Sequence, residues 1–427
     1  MWTSILLFVG GAIAAAGGVG GGGLYVPILI LAGGFEPHEA VPLSKVIVFG
    51  ASLASLTRWR HIDLDVAILL EPATLVGAVA GVLLNQLLPP RALLPALVCV
   101  LAVTSARTLQ RGARLLQPPG AARLPELSPH AKADDDGEAA AADTADAPEL
   151  SPRASDDGDA EAASPPADDG AADGGSDDAR RPLLGPPPPP LPRRWSGRRK
   201  LAVLALAWVL VLALAVLRAG PRAPPALRAL LGAPSVRPCS RGWWLLLALS
   251  AFFPLLLTRA AARQLAAVAA AAPVADGGGP RWTTRNLVLA PMVSACAGVL
   301  AGLLGIGGGL VKGPLLLELG MRPQAAAATS GFMVLFTASS TTLQFLLAGA
   351  LRAEHVAWLG MVSLAAAAAG SAAAAAALRR QGHAACILFA IGAVVGASAL
   401  AIAWVEWAGG GIHAADSRPR ESVCAPG

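Results

Sequence analysis

The sequence predicts an all-α polytopic membrane protein with about 8–10 membrane segments in two homologous halves, each opening with a Gly-broken helix. Three observations predict it. The 427 residues are 55% hydrophobic and only 14% charged, where soluble domains run nearer about 25% charged. The apolar residues gather in long uniform runs, not in the alternating strands of roughly ten residues that a membrane barrel needs. A Gly/Pro-interrupted stretch occurs twice, far apart in the chain.

The apolar runs come in order. Residues 2–32 are apolar with a Gly-rich break at 17–23. This start resembles a signal peptide, but it has no basic leader and runs directly into the repeated motif, so it reads as a retained first helix. Runs at 40–57, 64–88 and 92–109 follow. After a polar gap come 201–217, 243–258 and 286–319, the last broken at 305–309. Runs at 325–349, 354–378 and 384–405 complete the set.

The expected organisation is a first transmembrane repeat over 1–111, a disordered acidic and Pro-rich hydrophilic linker over 112–200, and connecting transmembrane helices over 201–285. A second transmembrane repeat over 286–407 and a disordered tail over 408–427 follow. The linker is rich in Ala, Asp, Gly and Pro and lacks aromatics until Trp195, so it cannot bury enough surface to fold.

Net charge is +5, but 17 of the 28 acids lie between Glu126 and Asp178 beside two bases. The rest of the chain carries 31 bases against 11 acids, spread over loop ends instead of gathered into a nucleic-acid patch. Arginines flank the linker on both sides, which places it in the cytosol by the positive-inside rule. The Arg-rich 218–241 loop then faces outward if every segment crosses once. The five Cys show no CxxC spacing and read as small buried hydrophobes.

The repeat carries the functional signal. The first copy, residues 18–52, reads GVGGGGLYVPILILAGGFEPHEAVPLSKVIVFGAS. The second, residues 305–339, reads GIGGGLVKGPLLLELGMRPQAAAATSGFMVLFTAS. Gly34, Pro37, Ala40 and Ser44 match Gly320, Pro323, Ala326 and Ser330, and Pro27 matches Pro314. The following segments correspond too, 64–88 with 354–378 and 92–109 with 384–405. Broken apolar segments at matched places in two halves point to a transporter site at the repeat interface. A break exposes backbone groups that lipid cannot satisfy, so it must line protein or a cavity. The half-helix after it presents free N–H groups and a positive dipole end, which suits an anion.

The candidate substrate-binding residues are Gly20, Gly21, Gly22, Gly23, Pro27, Ser44 and Lys45 in the first half. In the second half they are Gly305, Gly307, Gly308, Gly309, Lys312, Pro314, Thr329 and Ser330. Pro27 and Pro314 fall early in the half-helices, where a missing N–H costs little. Lys45 and Lys312 are two of only four Lys, and each lies in or beside an apolar segment. A charge in the bilayer costs about 2.5–3.5 kcal/mol on insertion scales and is functional by default, although either Lys could instead snorkel to the interface. Ser44, Thr329 and Ser330 could donate to an oxyanion or bond their own helix. Residues Ser339, Ser340, Thr341, Thr342 and Gln344 form a polar strip that lines a route or glues helices. Asn85 and Gln86 read as interfacial. Glu71 is the candidate proton carrier, and Pro72 after it favours a local irregularity. Glu318 is placed to balance the charge of Lys312, and Glu406 reads as interfacial.

The paired GxGGG…P and Pro…Ala…Ser elements resemble the TauE/SafE family of membrane permeases, the sulfite exporters. The carrying residues are Gly305 to Gly309, Pro314, Pro323 and Ala328-Thr329-Ser330, with Gly20 to Gly23, Pro27, Pro37 and Leu43-Ser44-Lys45 in the first half. The Leu-Ser-Lys variant and the long hydrophilic insert resemble the plant and algal branch. Leu43 stands where the family has Thr, so the two half-sites are unequal. The resemblance implies a multi-pass integral protein of the plasma membrane or an internal membrane of a plant- or alga-like eukaryote. It implies export of sulfite or an organosulfonate.

The resulting expectation is a secondary-active permease for a small anion, working by alternating access in the lipid bilayer with a proton as candidate coupling ion. A permease for another small solute on the same fold is the alternative. A membrane sensor or scaffold acting through its acidic linker is the other, and its function would survive mutation of both Gly motifs and fail on deletion of 126–178. No enzyme, metal, cofactor or nucleic-acid partner is expected. The six His are scattered without an HExxH, and no GxxxxGK[ST] loop is present.

Overall fold

Lipid offers no hydrogen bonds, so a chain this apolar must satisfy its backbone internally, and helices do that segment by segment. The computed structural model describes residues 2–16, 22–116, 195–219, 236–271, 280, 282–351, 353–378 and 384–407. The expectations for Gly20, Gly21, most of the linker, most of the 218–241 loop and the tail lie outside them.

Among the described residues all regular structure is helical. The first group is α1 (Trp2–Ala16), α2 (Gly22–Leu31), α3 (Pro37–Leu53) with a 3₁₀ segment (Ala54–His61), α4 (Leu64–Leu87) and α5 (Pro90–Leu116). Two connecting helices follow, α6 (Gly197–Ala219) and α7 (Arg241–Ala271). The last group is α8 (Thr284–Leu304), α9 (Gly309–Glu318), α10 (Pro323–Leu347), α11 (Ala353–Leu378) and α12 (Ala384–Trp407). Eight helical stretches of the described residues are long and apolar enough to cross a bilayer. The chain is an integral membrane protein.

The second expected break is present, and the first, expected at 17–23, lies mostly outside the described residues. Gly305 ends α8 in a left-handed conformation (φ 74°) that suits a residue without a Cβ, and α9 starts at Gly309. Three helix ends and one helix interior differ from the sequence reading. α5 and α6 reach to Leu116 and from Gly197, so both enter the span assigned to the linker. α7 runs on past 258 through Arg259 and Arg263 to Ala271, because its Ala-rich end holds no helix breaker. α4 runs unbroken through Pro72. Pro27 and Pro314 are each the sixth residue of a ten-residue helix, past the first turn, so each removes an interior helix bond.

Packing follows a pattern of exchange. α4 lies along α8, and α1 lies along α11. α3 packs on α11, and α10 packs on α4. α3 meets α10, α5 meets α12, and the short α2 meets the short α9. The closest pair, α4 and α8, uses two GxxxG stretches, Gly77/Gly81 and Gly298/Gly302. A Cβ at any of these would strike the facing backbone. Thr74 and Ser294 continue the seam with a hydroxyl pair at 2.7 Å.

The outward faces are apolar, with Leu206, Phe252, Met361 and Leu400 exposed, while the polar side chains turn inward. Three cysteines depart from expectation. Cys99 and Cys296 are exposed, and Cys239 is disulfide-bonded. Asn85 is not interfacial: it is buried and donates to the Leu303 carbonyl at 2.7 Å, in the last turn of α8. That bond satisfies an acceptor the helix end leaves open.

Candidate functional site

The site forms where the second break meets α2, α3, α4 and α10. The break leaves carbonyls and N–H groups without helical partners, so neighbouring side chains must answer them. α3 supplies two. The Ser44 hydroxyl donates to the Gly305 carbonyl at 3.1 Å and to its own Val41 carbonyl at 2.7 Å. The Lys45 ammonium donates to the Ile306 carbonyl at 3.4 Å. Lys45 is 1% exposed, so it does not snorkel to the interface. Among the described residues no carboxylate reaches ion-pair distance of it.

The N–H groups of Gly307, Gly308 and Gly309 precede the first helical bonds of α9. They are buried, and none has an acceptor among the described residues. Gly22 crosses this loop so closely that a Cβ there would run into the backbone of Ile306 and Gly307. Gly23 rests against the end of the Leu310 side chain. Gly at position 22 is what lets the start of α2 cross the second break this closely.

Lys312 lies one turn further along α9. Both Lys312 and Glu71 are 0% exposed, and their ammonium and carboxylate pair at 2.5 Å. Thr337 on α10 closes the group. Its hydroxyl donates to Glu71 at 2.5 Å and accepts from Lys312 at 3.3 Å. Charge balance for Lys312 therefore comes from Glu71 on α4 and not from Glu318, which is exposed at the end of α9. Thr341 and Gln344 extend the polar strip along α10, where Gln344 also meets Arg218 of α6 at 3.4 Å.

The remaining expected residues stand apart from this centre. The Thr329 hydroxyl accepts the Asp63 backbone N–H at 2.9 Å and so ties α10 to the start of α4. Ser330 is buried beside it on α10. Pro27 is buried within α2, and Pro314 is half-buried in α9. Another buried ion pair, Lys200 with Asp65, joins α6 to α4 and was not legible from spacing. Among the described residues no group of three His, Cys, Asp or Glu side chains could hold a metal.

The centre thus buries two ammonium groups against one carboxylate, next to three open N–H groups. Such an arrangement can neutralise a small anion by charge and by directed hydrogen bonds.

Residues 4–274 match the family model described as "Sulfite exporter TauE/SafE". Sulfite exporter TauE/SafE family protein 1 of Arabidopsis thaliana is 28% identical over 417 residues, covering 93% of this chain and 81% of that protein. Family protein 5 of the same plant is 26% identical over 405 residues, covering 93% and 80%. No solved structure matches the chain.

Proposed function

From the premise that this chain belongs to the TauE/SafE family, we propose that it is a secondary-active permease for a small anion, sulfite or an organosulfonate. The single observation that carries this is Lys45, a fully buried ammonium beside the open N-terminus of α9 whose one partner among the described residues is a backbone carbonyl. A buried charge without a counter-charge is costly, and a bound anion would remove that cost. The names of the Arabidopsis relatives point to the same class of solute.

Transport proceeds by alternating access between two related halves, 1–111 and 286–407, joined by the connecting helices of 201–285. The exchanged packing of α4 on α8 and α1 on α11 supports that relation. The acidic linker over 112–200 acts as a tether. Glu71 carries the coupling proton, released or taken up as Lys312 changes partner between Glu71 and the anion. Its pairing with Lys312 inside the site supports this role.

The test is flux of labelled sulfite into proteoliposomes, competed with sulfate, taurine, sulfoacetate and a neutral solute. Saturable flux that anions block and Lys45→Met abolishes is the expected result. Folded, inserted protein that moves no anion would remove this reading. For Glu71→Gln, an unchanged pH dependence of flux would remove the proton role alone.

A further inference from the structure

A void lies among α1, α2, α3, the 3₁₀ segment, α10 and α11, with a volume of about 40 Å³ and a lining that is mostly apolar. Its lining includes Tyr25, Ser52, Ser55, Arg58, Gly331 and Ser371, and no described carboxylate. Arg58 is the charge on its wall. The Arg58 Nε–H is buried and has no acceptor among the described residues. Tyr25 is fully buried, and its hydroxyl has no partner among them either. Ser52 and Ser55 already donate to the Phe49 and Ser52 carbonyls, at 2.7 and 2.5 Å. The donors left for a ligand are therefore Arg58 and Tyr25.

The segment carrying Arg58 is anchored on both sides. Trp59 sets its ring edge-on against Phe332 of α10 at 5.6 Å, and the Asp63 N–H is held by Thr329 at 2.9 Å. The backbone leaves helical geometry at Arg58 itself (φ −99°, ψ 26°). Sequence adds a parallel. Tyr25 and Lys312 each stand two residues before a matched proline, Pro27 and Pro314. At the second position Lys312 is ion-paired with Glu71, and at the first Tyr25 lines the void together with Arg58.

A buried guanidinium donor with no acceptor is unfavourable, and an acceptor with paired oxygens answers its planar fork. The volume holds about three waters, which suits a small inorganic oxyanion and leaves no room for an alkyl tail or a lipid phosphodiester. We propose that this void is a binding station for a free inorganic oxyanion such as sulfite, held by Arg58 and Tyr25 and separate from the Lys45 centre. The inference rests on the transport reading and narrows its substrate to an anion without an organic tail.

The test is equilibrium binding of labelled sulfite to the full chain in nanodiscs of neutral lipid. Wild type is expected to show two saturable classes of site. Arg58→Gln weakens one class at least tenfold, Arg58→Lys retains part of it, and Ala51→Leu, which fills the void, removes it. Lys45→Met removes the other class. Unchanged binding in both Arg58→Gln and Ala51→Leu would overturn the station while leaving the Lys45 reading standing if Lys45→Met loses its class. Loss in the Arg58 variant with none in Lys45→Met would support the station and remove the Lys45 centre. A long alkyl sulfonate competing at the Arg58 class as well as sulfite does would also overturn the proposal.

Discussion

Lys312 and Glu71 look alike by burial but differ from Lys45 by partner. The first two neutralise one another, with Thr337 filling a further bond. Removing one member alone leaves a charge uncompensated, which costs about 3–5 kcal/mol for a buried pair. Lys312→Met and Glu71→Gln should each lower the unfolding temperature strongly. The double variant should recover most of that loss, read as a coupling term in a thermal-melt cycle. Additive losses would mean that the pair is not coupled. Asn85 gives a smaller effect of another kind. Asn85→Ala strands the Leu303 carbonyl, so it should destabilise by about 1–3 kcal/mol with no change in anion selectivity. A selectivity change would show that Asn85 touches the solute.

Helices in lipid gain nothing from hiding apolar surface, so close backbone approach and polar bonds must hold them. The α4–α8 seam is built that way, from Gly77, Gly81, Gly298 and Gly302 with the Thr74–Ser294 pair. Gly298→Val places atoms where the Thr74 carbonyl already lies, so the folded fraction on size exclusion should fall sharply. Gly313→Ala, at a position with open space around its Cβ, should leave that fraction unchanged. Equal behaviour of the two variants would remove the seam as a determinant of folding. The half-helices α2 and α9 are about 15 Å long at ten residues each, too short to cross alone. Their contact with one another and with α3 and α10 is what keeps them in place.

For the whole molecule, we propose a sidedness from two signals. Basic residues on both flanks favour a cytosolic linker, and if α6 crosses once the loop before α7 lies outside, although that loop is itself rich in Arg. The disulfide at Cys239 agrees, since such bonds persist on oxidising faces. A membrane-impermeant maleimide should label Cys239 in sealed cells only after external reduction. Labelling that requires permeabilised cells would reverse the orientation.

Nearly every helix was legible in the sequence, because a bilayer demands about 20 apolar residues per crossing and leaves little freedom in where they fall. The Gly breaks, the unusual Lys residues and Glu71 were legible for the same reason, as costly exceptions inside apolar runs. The facing GxxxG pairs were written there too, but spacing alone does not say which helices face. Partnership was decided by tertiary structure. Glu71 lies 241 residues before Lys312, and Ser44 lies 261 before Gly305. Only packing brings such groups within a hydrogen bond, as it gives Lys312 a carboxylate and leaves Lys45 with a carbonyl. Thr329 likewise became a tie to α4, and Arg58, which the sequence did not single out, came to line a void. Single-residue costs set by the membrane are local and readable, whereas charge balance belongs to pairs of residues and exists only once the helices are assembled.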